Sequence, residues 1–246
     1  MLNGNKALVT GGSRGIGYAI AKALADNGCS VVITGRNYET LEKAAKEIGG
    51  KVFPLVWDVS DTSVTEQKMQ EATTLLGGLD MVINNAGIFA IRSEWNKQKL
   101  LQITPYEWET VMKTNLDSVF FIMQSAVNYM LKNNIKGNIL NVTSVAGYEP
   151  VKGAYGASKI AATGLTKGWG RMFAADGITI NGIAPGPVAT EMNGWHEGDP
   201  MDHEAIPYGR FATIEEIANL AMYLLSTEAK MVCGETVILD GAYYIR

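Results

Sequence analysis

The stretch Lys6-Ala7-Leu8-Val9-Thr10-Gly11-Gly12-Ser13-Arg14-Gly15-Ile16-Gly17 decides the fold. Lys6 to Thr10 is a short apolar run ended by glycines, which reads as a buried strand. From Ile16 to Ala25 the apolar residues Ile16, Ile20 and Leu24 recur at helical spacing, and Asn27-Gly28 supplies a stop. A nucleotide pyrophosphate needs free N–H groups at a helix N-terminus with nothing bulky in the way. Glycines at 11, 15 and 17 are expected to supply the tight turn and the close approach, with Ser13, Arg14 and Ile16 between them.

The alternation continues outward. Strands are expected at Ser30 to Thr34, Val52 to Trp57, Asp80 to Ile83, Asn138 to Val142, Ile178 to Ile183 and Glu235 to Leu239. Pro54 marks its strand as an edge or irregular one. Helices are expected at Tyr38 to Ile48, Ser63 to Leu76, Pro105 to Thr114, Leu116 to Lys132, Ala154 to Ala175 and Ile214 to Leu225, the last opened by a Thr213-x-x-Glu216 capping box. Repeated β-α units without a composition break predict one α/β domain over residues 1–246, built on a doubly wound parallel sheet of about seven strands. The stretch 191–209 is polar, Gly- and Pro-containing and long for a connection, so it reads as a lid.

Composition narrows the function. With 47% hydrophobic residues and a net charge of −4, the chain is neither disordered nor a basic nucleic-acid binder. It has no apolar run of membrane-spanning length and no signal peptide. Cys29 and Cys233 share no metal-ligand spacing with His196 and His203, so no metal is expected, and free thiols suit the cytoplasm.

The second strand ends in Thr34-Gly35-Arg36-Asn37, where an acid would accept bonds from a ribose 2′-hydroxyl. No acid is present, and Arg36 with Arg14 suits a 2′-phosphate instead, which predicts NADP(H). Tyr155 and Lys159 lie four residues apart, on one helix face. A nearby ammonium favours a phenolate and brings a tyrosine toward working pH. Ser144 ends the preceding strand, where ligands sit in open α/β sheets, and its hydroxyl can bond a substrate oxygen.

Taken together, these residues resemble the short-chain dehydrogenase/reductase family over nearly the whole chain. The likeness is carried by Thr10 to Gly17, Asp58-Val59, Asn84-Asn85-Ala86-Gly87, Asn115, Ser144, Tyr155 to Lys159, Pro185-Gly186 with Thr190, and Asp240-Gly241. It implies a single Rossmann-type domain binding NADP(H), with Asp58 and Val59 at the adenine and Asn85, Ala86, Gly87, Pro185, Gly186, Val188 and Thr190 along the cofactor. It also implies that Tyr155 is the general acid and base, that Lys159 lowers its pKa and holds the nicotinamide ribose, and that Ser144 polarises the carbonyl. Asn115 would hold a water linking Lys159 to solvent. A homo-oligomer, dimer or tetramer, is implied through the helix from Tyr155 and its predecessor. Gly156, Gly164, Gly168 and Gly170 suit such close packing.

Two segments depart from the family. Phe89 to Ile103 is longer than usual, with Arg92-Ser93-Glu94-Trp95-Asn96-Lys97 as its extra part, and the Ser144–Tyr155 connection is about two residues shorter. Tyr148 and the lid's Trp195 are candidate substrate contacts beside Ser144 and Tyr155. The expected substrate is a small carbonyl or alcohol compound. A 3-oxoacyl-(acyl-carrier-protein) substrate is the commonest by resemblance, but the acidic lid disfavours a strongly anionic partner, and a sugar, polyol or steroid fits as well. A non-catalytic NADP(H)-binding regulator is the competing class, and an epimerase or dehydratase the non-redox one.

Overall fold

A computed structural model of the chain describes residues 2, 4–89 and 96–244. Seven parallel strands, β1 (Lys6–Val9), β2 (Ser30–Gly35), β3 (Lys51–Val56), β4 (Met81–Asn84), β5 (Asn138–Val142), β6 (Thr179–Pro185) and β7 (Thr236–Leu239), form one sheet in the order β3-β2-β1-β4-β5-β6-β7. Chain direction across the sheet reverses between β1 and β4, and that switch point opens a crevice at the strands' carboxyl ends. Pro54 sits on β3, an edge strand, opposite Ile33 of β2. An edge tolerates its missing donor, as the sequence led us to expect.

The helices are α1 (Gly15–Asp26), α2 (Tyr38–Ile48), α3 (Thr65–Leu76), α4 (Lys97–Leu100), α5 (Pro105–Met112), α6 (Ser118–Lys132), α7 (Ala154–Phe173) and α8 (Ile214–Leu225). Two apolar layers sandwich the sheet. On one face Ile20, Leu24, Leu41 and Ile217 of α1, α2 and α8 pack on Val9, Val31 and Ile183. On the other, Met69, Ile122, Met123 and Met130 of α3 and α6 pack on Leu8, Val32 and Val82. Trp57, a residue past β3, is 2% exposed within this second layer.

Three local features position the cleft. Between α5 and α6 the helix does not break; Lys113–Asp117 form a wider π turn, a device common at functional sites. Helix α8 begins at the expected Thr213–Glu216 box, and Arg210 grips the same Glu216 carboxylate with both guanidinium nitrogens at 2.7 and 3.0 Å. The Arg210 bond and the Thr213 N–H pull the Glu216 carboxyl down to about 2. The lid is tied at its far end, where Asp202 bridges Arg210 and Ile206 is buried. Its near end, residues 191–194 and 196–200, is exposed. Among the described residues no helix is long and apolar enough to cross a membrane, and no three His, Cys, Asp or Glu side chains gather as metal ligands.

Candidate active site

The glycine turn and the loop after β4 are stitched together across the switch point. Thr10 Oγ1 accepts from the N–H groups of Asn85 and Ala86 at 3.0 and 3.1 Å, and Asn85 Nδ2 donates to the carbonyls of Thr10 and Gly11. This closeness explains two of the glycines. A Cβ on Gly17 would lie 2.3 Å from the Gly11 carbonyl oxygen, and one on Gly11 would lie 3.0 Å from Ala86 Cα. Gly15 differs. Its φ is +56°, and a Cβ there would meet only Thr190 Cγ2, at 3.7 Å. Gly11 and Gly17 are therefore required by the chain's own packing, and Gly15 is the glycine that faces the crevice.

Behind Gly15 the N-terminus of α1 has no side-chain cap and no acidic residue in its first turn. Such an end, twelve residues of aligned peptide dipoles with its N–H groups unclaimed by side chains, suits an anionic group. Pro185 ends β6 and Gly186 follows it, Val188 is buried in a parallel bridge to Ala212, and Thr190 faces Gly15 of the glycine turn.

The catalytic candidates converge at the carboxyl ends of β4 and β5. Lys159 is buried and its Nζ donates to the Val142 carbonyl at 3.1 Å. The same Nζ stands 5.7 Å from the centre of the Tyr155 ring. Burial pushes the Lys159 ammonium down to about 8. Asn115 is carried by the π turn. Its Oδ1 accepts from Ile88 N–H at 2.9 Å, and its Nδ2 donates to the Ile88 carbonyl at 3.0 Å and to Ser158 Oγ at 3.3 Å. Asn115 Oδ1 and Lys159 Nζ both face the bare Cα of Gly87, 3.5 and 3.7 Å from where a Cβ would stand. Ser144 caps a 3₁₀ turn, Val145–Gly147, with Oγ accepting from Ala146 N–H at 3.2 Å.

A family model described as enoyl-(acyl carrier protein) reductase matches residues 11–243. The 3-oxoacyl-(acyl-carrier-protein) reductase of Aquifex aeolicus is 34% identical over 99% of this chain and 98% of its own. The gluconate 5-dehydrogenase of Gluconobacter oxydans is 35% identical over 98% and 94%. Among solved structures, a short-chain type dehydrogenase/reductase from Mycobacterium marinum superposes with a TM-score of 0.90 at 30% identity, covering 100% of this chain and 97% of its own. The chain belongs to the short-chain dehydrogenase/reductase family. It is an oxidoreductase with that family's single-sheet fold.

Arg36 is exposed just after β2, before Asn37, whose side chain caps α2. Asp58 accepts from Ser60 N–H and Oγ, and Val59 beside it is buried. Arg14 is paired with the lid residue Glu191 at 2.7 Å, both side chains largely exposed. Trp195 Nε1 donates to the Pro200 carbonyl within the lid. Tyr148 turns toward β7, its hydroxyl donating to the Thr236 carbonyl at 3.2 Å. Of the inserted segment, Arg92 to Trp95 lie outside the described residues; Asn96 caps the short helix α4.

Phe89 was not foreseen. Its ring stands edge-on to Tyr155 at 4.5 Å and lines a small cleft with Ala146, Glu149, Pro150, Lys152 and Gly156. An aromatic two residues past the Asn-Asn-Ala-Gly run was the available signal. The four glycines of α7 divide. Gly170 packs on Gly234 and Gly156 near Val151, whereas Gly164 and Gly168 are open and line a groove of about 490 Å³ with Leu116, Phe120, Phe121 and Trp169.

Proposed function

We propose that the chain is an NADP(H)-dependent enzyme that interconverts a ketone and a secondary alcohol, with Tyr155 as general acid and base. The observation that carries this reading is the buried Lys159 ammonium, 5.7 Å from the centre of the Tyr155 ring and facing Gly87, in the loop that Thr10 and Asn85 stitch to the glycine turn. A dinucleotide is supported by the room that Gly15 leaves beside α1, and a 2′-phosphate by the exposed Arg36 after β2 together with Arg14. When bound, the nicotinamide supplies hydride in reduction and accepts it in oxidation.

The chain's residues do the rest. Ser144 donates a hydrogen bond to the substrate oxygen and fixes it near Tyr155. Tyr155 delivers its proton to that oxygen as the alcohol forms, and takes it back in the reverse direction. Lys159 stabilises the phenolate that each reduction leaves behind. Asn115, held by Ile88 and Ser158, keeps the π turn facing Gly87 and Lys159, where a water can return the proton from solvent. Cys29, pushed up to about 11 by burial, takes no part, and both free thiols suit a reducing cytoplasm.

The substrate is read as a small ketone or hydroxy compound, since the cleft on Tyr155 is narrow and carries both Glu149 and Lys152. The relatives act, by their names, on acyl-carrier-protein thioesters and on gluconate. A panel of ketones, sugars, steroids, 3-oxoacyl and enoyl thioesters, followed by NADPH absorbance, tests the reading. Turnover of a ketone is expected, and consumption of NADPH with no member of the panel would contradict it. The apolar groove between α6 and α7 is the expected face of a homo-oligomer; a monomer in sedimentation would contradict that.

A further inference from the structure

The turn that follows β7 touches three walls of the cleft. Asp240, 9% exposed, accepts from the N–H groups of Ala242 and Tyr244 at 2.9 and 2.7 Å, and folds residues 240–244 back on themselves. On one side Gly186 rests against it: a Cβ there would lie 2.5 Å from Asp240 Cβ. On the second, Tyr208 N–H of the lid donates to the Gly241 carbonyl at 3.1 Å. On the third, the Tyr244 hydroxyl donates to the Tyr148 carbonyl at 2.8 Å, with the two rings 6.2 Å apart.

Tyr148 closes the turn that begins at Ser144. Gly147 N–H donates to the Ser144 carbonyl and Tyr148 N–H to that of Val145, both at 2.9 Å. Ser144 Oγ bonds within the same turn, so its direction follows the turn as a body. At its start the turn is fixed by β5. At its end it runs into Pro150, Val151 and Lys152, which are exposed. The turn is seated on β5 and on α7, where Gly147 faces the Lys159 carbonyl and Thr163 Oγ1, and a shift of a fraction of an ångström at a reacting group costs rate. Tyr244 and Thr236 add a hold on its Tyr148 end.

We propose that Tyr244 is a positioning residue. Its hydroxyl holds the Ser144–Tyr148 turn so that Ser144 presents to the substrate oxygen, while Gly241 ties Tyr244's own turn, residues 240–244, to the lid. This rests on the role given to Ser144 above. The test is kcat for ketone reduction by Tyr244→Phe, Ser144→Ala and the double variant, with NADPH Kd and Tm measured for each. Tyr244→Phe should lower kcat about fivefold, the worth of one ordinary hydrogen bond, with NADPH Kd unchanged and Tm lowered by no more than about 4 °C. It should have no further effect on kcat once Ser144 is alanine. An unchanged kcat, an equal fall in the Ser144→Ala background, or a parallel loss of NADPH binding overturns the proposal. If Ser144→Ala alone leaves kcat intact, the role of Ser144 has failed; if only Tyr244→Phe is silent, that role stands and the positioning does not.

Discussion

Lys159 donates from its buried ammonium to the carbonyl of Val142, the last residue of β5. One hydrogen bond thus fastens helix α7 to the carboxyl end of β5, from which Ser144 emerges. It also commits a charge to the interior, where burial lowers the ammonium to about 8 from an ordinary 10.5.

That burial has a stability consequence with a definite sign. At pH 7 the lysine is protonated in both folded and unfolded chains, and folding must desolvate the charge. Between pH 8 and 10.5 the unfolded chain holds the proton and the folded chain has released it, so this group's contribution to stability rises with pH through that window. Lys159→Met keeps the length and removes the charge. It should abolish turnover yet stabilise the cofactor-free protein at pH 7 by about 1–2 kcal/mol, part of the gain being offset by the unpaired Val142 carbonyl. The difference in unfolding free energy between variant and parent should narrow as pH rises from 8 to 10.5. A destabilised variant at pH 7 contradicts the account.

The two arginines proposed to select the cofactor stand in different situations. Arg14 is engaged by Glu191 at 2.7 Å, an exposed pair of small net worth that a phosphate must displace. No carboxylate is paired with Arg36 among the described residues, and it follows the strand end directly. Arg36 should therefore carry the larger share of discrimination. Arg36→Asp is expected to move the ratio of kcat/KM for NADPH over NADH toward NADH by about 10- to 100-fold. A ratio that does not move, or a parent enzyme that prefers NAD(H), counts against the assignment.

Much of this was legible in the sequence because the signals are local. The α2 and α8 limits match their expected ranges, since Asn37 and Thr213 cap them and Gly49 ends the first. Pro54 announced its edge strand. The π turn at Lys113–Asp117 was not legible. One wider turn barely disturbs apolar spacing, so the sequence suggested two helices meeting near Thr114. What it does to Asn115, turning it onto Ile88, depends on contacts made across the fold. The lid shows the same limit. Its polar composition marked it as a lid but carried no sign that Ile206 is buried or that a backbone β-bridge between Asp202 and Arg210 closes its far end. Tyr148 lies in the Ser144–Tyr155 connection, which made it a candidate substrate contact, and its packing was not legible. Its partners, Thr236 and Tyr244, are 88 and 96 residues away, beyond the reach of local pattern.

The central claim is that Tyr155 transfers the proton while the glycine crevice independently holds the cofactor. The most direct measurement is ketone-dependent NADPH oxidation by Tyr155→Phe, alongside NADPH binding to the same variant by fluorescence titration. The phenyl ring keeps the edge-on contact with Phe89 and lacks only the ionisable hydroxyl. Turnover should fall by about a thousandfold or more while NADPH binding stays within about threefold of the parent. Substantial ketone reduction by the variant would contradict the account.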